Sequence, residues 1–123
     1  MALQENTPFD EIYLTTSLAD LSTASSAFVV SPVRGRIRKA WSVIANAITG
    51  ADAVWTMEIN GTAITGVSVT VANSGSAAGD VDSDEPTSET TNRVIPGDAI
   101  EFVSDGASST ACPTQFTVAI QVY

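Results

Sequence analysis

The sequence predicts an all-β protein: an antiparallel β-sandwich or a small jelly-roll-like barrel with an extended N-terminal arm. Three observations predict this class. Apolar and polar residues alternate over several short runs, as they do in strands with one buried face. Turn signals built from Gly, Asn, Asp and Pro separate these runs about every ten residues. Helical patterns do not alternate with the strands, which argues against a βαβ fold.

The chain divides into residues 1–25, the predicted arm, and residues 26–123, the predicted β-sandwich domain. The arm holds four acids and no base, and it is rich in Thr, Ser and Ala. Leu14, Leu18 and Leu21 are spaced as on one helix face, and Asp10 would cap such a helix. We therefore expect a mostly extended arm, with one short helix as the alternative.

Residues 27–30 and 36–48 predict the first two strands of the domain. In the second run, alternation assigns Ile37, Trp41 and Val43 to the core face. Several alanines after residue 39 also permit a helix there, so the second half of this run is open to both interpretations.

The middle of the chain predicts a β-hairpin. Trp55 shares a face with the other apolar residues of the run 54–60. Asn60-Gly61 then predicts a type I′ turn, because both central residues of that turn need a positive φ. Residues 62–65 form the expected return strand. Gly66 is expected to end it before another strand begins.

The remaining elements are a long loop and two further strands. Residues 73–92 are small, polar and acidic, which predicts a surface excursion followed by a short strand near residues 90–95. A Pro-Gly-Asp turn at residues 96–98 precedes an alternating strand at 99–104. Residues 114–123 form the last predicted strand, with Phe116, Val118, Ile120 and Val122 inward.

Charge and composition exclude several classes of function. The chain carries 14 acids against 5 bases, a net charge of −9, so neither nucleic acid nor an anionic membrane surface is an expected partner. It has no histidine and one cysteine, which excludes Ser-His-Asp chemistry, a His/Cys zinc site and a disulfide within the chain. The N-terminus lacks the pattern of a signal peptide, so we expect folding in a cytoplasm.

Asp80, Asp82 and Asp84 resemble the opening of a calcium-binding loop. An EF-hand also needs Gly at the sixth position and Glu at the twelfth, and those positions hold Glu85 and Thr91. The EF-hand pattern therefore fails. A calcium site of another kind is left open beside the simpler interpretation, a solvated acidic loop.

No residues predict catalysis. Glu58 and Glu101 are the acids placed on strands, and both are expected to face outward instead of sharing an apolar cleft. Cys112 lies in a Ser-rich loop without a neighbouring base. We therefore expect no enzymatic activity and no small-molecule substrate.

Four of the five bases fall within six residues: Arg34, Arg36, Arg38 and Lys39. In an extended strand the three arginines project from one face. Two interpretations stay open. The side chains pair internally with the acids at residues 80–89, or they dock an acidic partner, for which the arginine fork is suited.

Residues 51–61 (ADAVWTMEING), 67–72 (VSVTVA), 74–79 (SGSAAG), Asn92 and 96–103 (PGDAIEFV) carry a family resemblance. Residues 33–123 resemble small β-rich head decoration, or cement, proteins of tailed bacteriophages in texture and in the placement of the hairpin and the Gly-Asp turn. The resemblance implies a noncatalytic capsid protein without a cofactor. Such proteins are assembled in the host cytoplasm and often form homotrimers.

Together these arguments predict a virion structural protein that binds the outer capsid surface and stabilises the head, with the major capsid protein as its partner. The alternative is a carbohydrate-binding domain of a phage fibre or surface adhesin. The predicted capsid-docking residues combine the basic cluster with apolar side chains of the arm: Arg34, Arg36, Arg38, Lys39, Phe9, Ile12, Leu14 and Leu18.

Overall fold

A computed structural model describes residues 10–123, which contain nine β-strands and no helix. It follows that this part of the chain has no helix that could cross a membrane. The strands are β1 (Asp10–Leu18), β2 (Ser25–Val30), β3 (Gly35–Ile44), β4 (Ala53–Ile59), β5 (Thr62–Val71), β6 (Val81–Asp84), β7 (Arg93–Val94), β8 (Ala99–Ser104) and β9 (Thr114–Val122).

The strands form two antiparallel sheets. One has the order β1-β9-β3-β6, with the short β7 also paired to β3, and the other has the order β2-β8-β4-β5. Apart from the β4–β5 hairpin and the short β7, consecutive strands cross from one sheet to the other, which is the connectivity of a jelly roll. The predicted fold class is therefore confirmed.

Three aromatic rings lie at the centre of the core between the sheets. Phe102 and Phe116 stack with ring centroids 4.5 Å apart, and Trp55 meets Phe116 edge-on at 5.1 Å. All three side chains are fully buried. The indole N–H of Trp55 donates to the hydroxyl of Ser42 at 3.0 Å, which satisfies the one polar group that this side chain brings into the core.

The segment predicted as an arm contributes a complete strand to the sandwich. β1 pairs with β9 over its whole length, from Asp10 opposite Val122 to Leu18 opposite Thr114. Leu18 and Leu21 are buried in the core. The helical alternative is therefore wrong, because the leucines enter the core from a strand and the turn after it.

Asp20 fixes that turn. Its carboxylate accepts hydrogen bonds from the backbone N–H of Ser22 at 2.8 Å, from the N–H of Cys112 at 2.9 Å and from the hydroxyl of Thr23 at 2.7 Å. The bond from Thr23, followed by those from the backbone, lowers the pKa of Asp20. The turn is thereby tied to the loop that leads into β9, where the free Cys112 is buried.

A β-bulge in β3 changes which side chains enter the core. Ile37 lies opposite Ile120 and Lys39 opposite Ala119, so Arg38 is an extra residue in the ladder. Beyond the bulge the alternation is shifted by one residue. The prediction that Trp41 and Val43 face the core is therefore wrong, since both lie on the outer face of the sheet.

The β4–β5 hairpin confirms the Asn60-Gly61 turn, with φ of 49° and 85° at its two central residues. The expected break at Gly66 is wrong, because β5 continues through it to Val71. Met57 alone lies opposite residues 64–67, so β5 accommodates Gly66 as part of an irregularity in the ladder.

The excursion at residues 73–92 is more ordered than expected. Residues 81–84 form β6, which pairs with residues 40–43 of β3. The later short strand is β7, which is limited to residues 93–94. The backbone N–H of Ser68 donates to the Asp84 carboxylate at 3.1 Å. β6 therefore ties the edge of one sheet to β5 of the other.

Candidate functional site

All five basic side chains of the protein belong to one band along β3 and β7, which we call the basic band: Arg34, Arg36, Arg38, Lys39 and Arg93. The sequence placed the first four together, because they follow one another along the chain. Arg93 joins them through folding, since β7 pairs with β3 and sets Arg93 directly opposite Arg36.

Asn92 holds β7 in this position. Its side-chain N–H donates to the carbonyl of Ile37 at 2.9 Å, and the backbone N–H of Ile37 donates to the carbonyl of Asn92 at 2.8 Å. Asn92 is itself buried. The basic band is therefore assembled by a buried polar anchor and not by the surface side chains themselves.

Two arginines of the band form ion pairs within the molecule. Arg36 pairs with Glu89 and also donates to the side-chain oxygen of Gln121 at 2.9 Å. Arg38 pairs with Glu11 of β1, and this hydrogen bond lowers the pKa of Glu11 and raises that of Arg38. Internal pairing with residues 80–89 therefore occurs for Arg36, while Arg38 takes its partner from the opposite edge of the sheet.

These ion pairs are weak constraints on the band. The arginine side chains are 38% and 45% exposed, so water screens both charges. Exposed pairs of this kind contribute about 0–1 kcal/mol each. An acidic partner can replace Glu89, which is 68% exposed, at small cost, whereas Glu11 is only 18% exposed.

The other three bases have no carboxylate partner within residues 10–123. Arg34 and Arg93 are exposed, and the Nε–H of Arg93 donates to the backbone carbonyl of Glu89 at 2.8 Å. The ammonium of Lys39 lies 5.3 Å from the ring centroid of Trp41, a cation–π contact.

Two exposed apolar side chains lie beside one end of the band. Ile95 follows β7 directly and is 56% exposed, and Tyr123 is 58% exposed. The backbone N–H of Tyr123 donates to the carbonyl of Arg34 at 3.2 Å, which brings this ring to the same end of the sheet. We call Arg34, Arg36, Arg93, Ile95 and Tyr123 the basic end.

The apolar residues predicted to dock the capsid do not lie on this surface. Leu18 is buried, and Ile12 and Leu14 pack against the core from the inner face of β1. They serve the fold of this chain because alternation along β1 turns them inward. Phe9 lies outside the described residues.

A second feature of the same sheet is not predicted by the alternation of the sequence. Tyr13 of β1 and Trp41 of β3 flank β9 and form two walls of a shallow trough of about 290 Å³ on the outer face. Its lining includes Val43, Val81, Gln115 and Thr117. The bulge at Arg38 is the reason, because without it Trp41 would point into the core and no trough would form.

The carboxylates that raised the question of calcium or catalysis are Asp80, Asp82, Asp84, Glu58 and Glu101. No group of three or more acids or cysteines within residues 10–123 is arranged to hold a metal ion. Asp84 accepts backbone hydrogen bonds, and Asp80 accepts one from the N–H of Ala77 at 2.9 Å. Glu58 and Glu101 lie opposite each other on the outer face of the four-stranded sheet, as the alternation predicted.

No family model matches the chain, and no curated protein matches it in sequence. Solved structures share its fold. A chain of the cyanophage Pam1 capsid asymmetric unit is 15% identical with a TM-score of 0.58, and the alignment covers 100% of this chain and 92% of that one. CsCBM6-3 from Clostridium stercorarium, solved in complex with cellobiose, is 10% identical with a TM-score of 0.50, covering 98% and 91%.

A glycoside hydrolase family 43 arabinoxylan arabinofuranohydrolase from Bacillus subtilis, solved with cellotetraose, is 12% identical with a TM-score of 0.53. This chain aligns over 94% of its own length but spans only 27% of that enzyme. At these identities the similarity is one of fold.

Proposed function

We propose that this protein is a noncatalytic structural protein of a tailed-phage virion that binds the outer capsid surface and stabilises the head. It is a decoration or cement protein, and its partner is the major capsid protein. The jelly-roll fold supports the proposal, since a chain of a cyanophage capsid asymmetric unit shares it over nearly its whole length. Jelly rolls are a common architecture of capsid domains.

The observation that carries the docking surface is the basic end. It is part of the one region of positive charge on a protein with a net charge of −9, and it is bordered by an exposed isoleucine and an exposed tyrosine. Arginine and tyrosine are enriched among the residues that dominate binding at protein interfaces. The partner surface is therefore acidic, with an apolar area at its border.

The wider predicted cluster takes part to different degrees. Arg34 and Arg93 are exposed and free of carboxylate partners in the described chain, so they meet the capsid directly. Arg36 exchanges its exposed partner Glu89 for a capsid carboxylate, while Arg38 keeps Glu11 and adds its charge to the local field. Lys39 lies further along β3, against Trp41, and contributes mainly to the local field.

The test compares two variants that lower the net charge by the same two units in different places. Arg34→Ala with Arg93→Ala removes the two exposed arginines of the basic end, while Thr62→Glu with Thr70→Glu charges exposed positions of β5 in the other sheet. Both variants should melt close to the native protein, since all four side chains are on the surface. Co-sedimentation with undecorated capsids should fall about tenfold or more for the first variant alone. Unchanged capsid binding by that variant overturns the proposed surface.

We extend the proposal to a homotrimer on the capsid. Light scattering of the free protein measures whether the trimer exists before binding, and an image reconstruction of decorated capsids measures the number of copies at each site. A single copy at each site on the capsid overturns the trimer and leaves the docking surface to the test above.

A further inference from the structure

We propose that the trough between Tyr13 and Trp41 binds a neutral pyranose ring of a polysaccharide. The proposal concerns a different part of the surface from the basic end and does not rest on capsid binding. It follows from the chemistry of the lining, from the way the two aromatic rings are held, and from the absence of charge among the residues that line the trough.

The lining matches the two kinds of surface that a pyranose presents. The C–H faces of the ring are apolar and pack on aromatic side chains, while the hydroxyl groups project around its rim and need hydrogen-bond partners. Tyr13 and Trp41 supply the aromatic surface. Gln115 and Thr117 lie on β9, between the two aromatic walls, and supply an amide and a hydroxyl.

The dimensions suit one ring. β1 and β3 are separated by β9, so their backbones lie about 10 Å apart. A ring standing between the two aromatic walls can contact both. At about 290 Å³ the trough lies at the lower end of the range for small-molecule sites.

Each wall is held by the residue two positions before it on the same strand. The hydroxyl of Tyr13 donates to the Glu11 carboxylate at 2.6 Å, and Glu11 is fixed in turn by its ion pair with Arg38. Lys39 lies over Trp41 at 5.3 Å. Both rings are thus oriented before a ligand arrives, which lowers the entropy lost on binding.

The trough and the basic end are separate along the sheet. Arg36 and Trp41 are five residues apart on β3, and Val43 extends the trough further, so the centres of the two surfaces lie about 15–20 Å apart. The capsid can therefore occupy one end of the sheet while the trough stays open.

An added β-strand is a poor occupant, because the lining strand β9 is already paired on both sides, with β1 and β3. A second copy of the chain is the remaining competitor, and the experiment below includes it.

The experiment titrates the ¹⁵N-labelled full-length protein separately with cellotetraose, xylotetraose and mannotetraose. The indole N–H signal of Trp41 and the side-chain amide of Gln115 should shift. The indole signal of Trp55, held in the core by Ser42, should move much less. Affinities of about 1 mM or tighter are expected for at least one probe.

Substitutions assign the effect to the trough. Trp41→Ala and Tyr13→Ala should each weaken binding about tenfold, because each removes one stacking wall. Tyr13→Phe keeps the wall and should bind more tightly than Tyr13→Ala. Phe28→Ala is the matched control, since Phe28 is an aromatic side chain 60% exposed on the other sheet, and it should bind as the native protein does.

Three results overturn the proposal. The first is no shift at Trp41 or Gln115 with any probe at about 10 mM, well above the expected dissociation constant. The second is a Gln115 shift that saturates at the same saccharide concentration in Trp41→Ala as in the native protein. The third is a Trp41 signal that responds to protein concentration and not to saccharide, which would make the trough a contact between copies of the chain.

Discussion

At the scale of single residues, Gly66 meets two demands on the backbone at once. Its φ is +94°, a conformation that side chains with a Cβ rarely adopt. A Cβ at this position would also lie 2.6 Å from the backbone nitrogen of Thr87, in the segment after β6. The Thr87 N–H donates to the neighbouring Thr65 carbonyl at 3.0 Å, so that segment cannot move away freely.

We therefore expect Gly66→Ala to destabilise the protein more than Gly61→Ala does. Gly61 has a similar φ of +85°, but nothing lies within 4 Å of a Cβ there. The difference between the two variants isolates the steric contact with Thr87. This contact should lower the free energy of unfolding of Gly66→Ala by about 1–3 kcal/mol more than that of Gly61→Ala. Urea denaturation of both variants measures it, and equal losses would show that the segment at Thr87 yields.

The ionised carboxylate of Asp82 destabilises the folded state. It lies on the edge strand β6 opposite the buried Ser42, and burial, together with the nearby Asp80, raises the pKa of its carboxyl. The folded state therefore binds this proton more tightly than the unfolded state does. Stability falls as the pH rises from the unfolded pKa, about 3.9, through the higher folded pKa.

Asp82→Asn should consequently raise the melting temperature at pH 7, and the gain should shrink as the pH falls toward about 4 and be absent below it. Asp84→Asn is the control from the same strand. It removes a carboxylate that accepts hydrogen bonds from the N–H groups of Ser68 and Glu85, so it should lower the melting temperature at pH 7. A gain for Asp82→Asn that is independent of pH would contradict the argument.

At the scale of the elements, the contribution of β1 to stability shows whether residues 10–18 belong to the domain or form an arm outside it. Ile12 and Leu14 face inward on this strand and Thr15 and Ser17 face outward. Ile12→Ala with Leu14→Ala should lower the free energy of unfolding by about 2–4 kcal/mol, since both side chains pack on the core. Thr15→Ala with Ser17→Ala should change it by about 0.5 kcal/mol or less.

Chemical denaturation of the two double variants gives the comparison. An arm outside the domain would make both pairs neutral, and that outcome would show that β1 contributes little to folding. A loss confined to the inward pair would place β1 in the cooperative unit, as its complete pairing with β9 indicates.

The elements also show what sequence reasoning reaches and where it stops. Turn chemistry and alternation were sufficient for the hairpin at Asn60-Gly61 and for β8 and β9, because each of these signals is local. The bulge at Arg38 has no local signal. This single extra residue reverses the orientation of Trp41, so alternation alone does not predict the trough.

The candidate site was predicted in part for the same reason. Consecutive bases along one strand are visible in the sequence, but Arg93 reaches Arg36 only through the pairing of β7 with β3. The inward orientation of β1 likewise depends on its partner β9, at the other end of the described chain. Contacts between residues distant in sequence are what periodicity alone cannot specify.

At the scale of the whole molecule, the fold gathers the basic side chains on one of its two sheets. The five bases lie on one side, along β3 and β7. On the outer face of the other sheet, Glu58 and Glu101 lie opposite each other on adjacent strands. This arrangement leaves like charges facing each other, which opposes folding, while it concentrates the attraction for an acidic partner at one end.

Salt should therefore shift folding and docking in opposite directions. Raising the ionic strength from about 0.01 M to 0.15 M shortens the screening length from about 30 Å to about 8 Å. Repulsion among the 14 acids is then reduced, and the loss of exposed ion pairs is small by comparison, so the melting temperature of the free protein should rise. Capsid binding through the basic end should weaken over the same range.

The variant Arg34→Ala with Arg93→Ala provides the comparison. Salt should stabilise it at least as much as the native protein, because its net charge is more negative. Its residual capsid binding should depend less on salt. Thermal melts and co-sedimentation across one salt series measure both responses. A melting temperature that falls with salt would mean that ion pairs dominate the electrostatics of the fold, and salt-independent capsid binding would remove the charged surface from the docking.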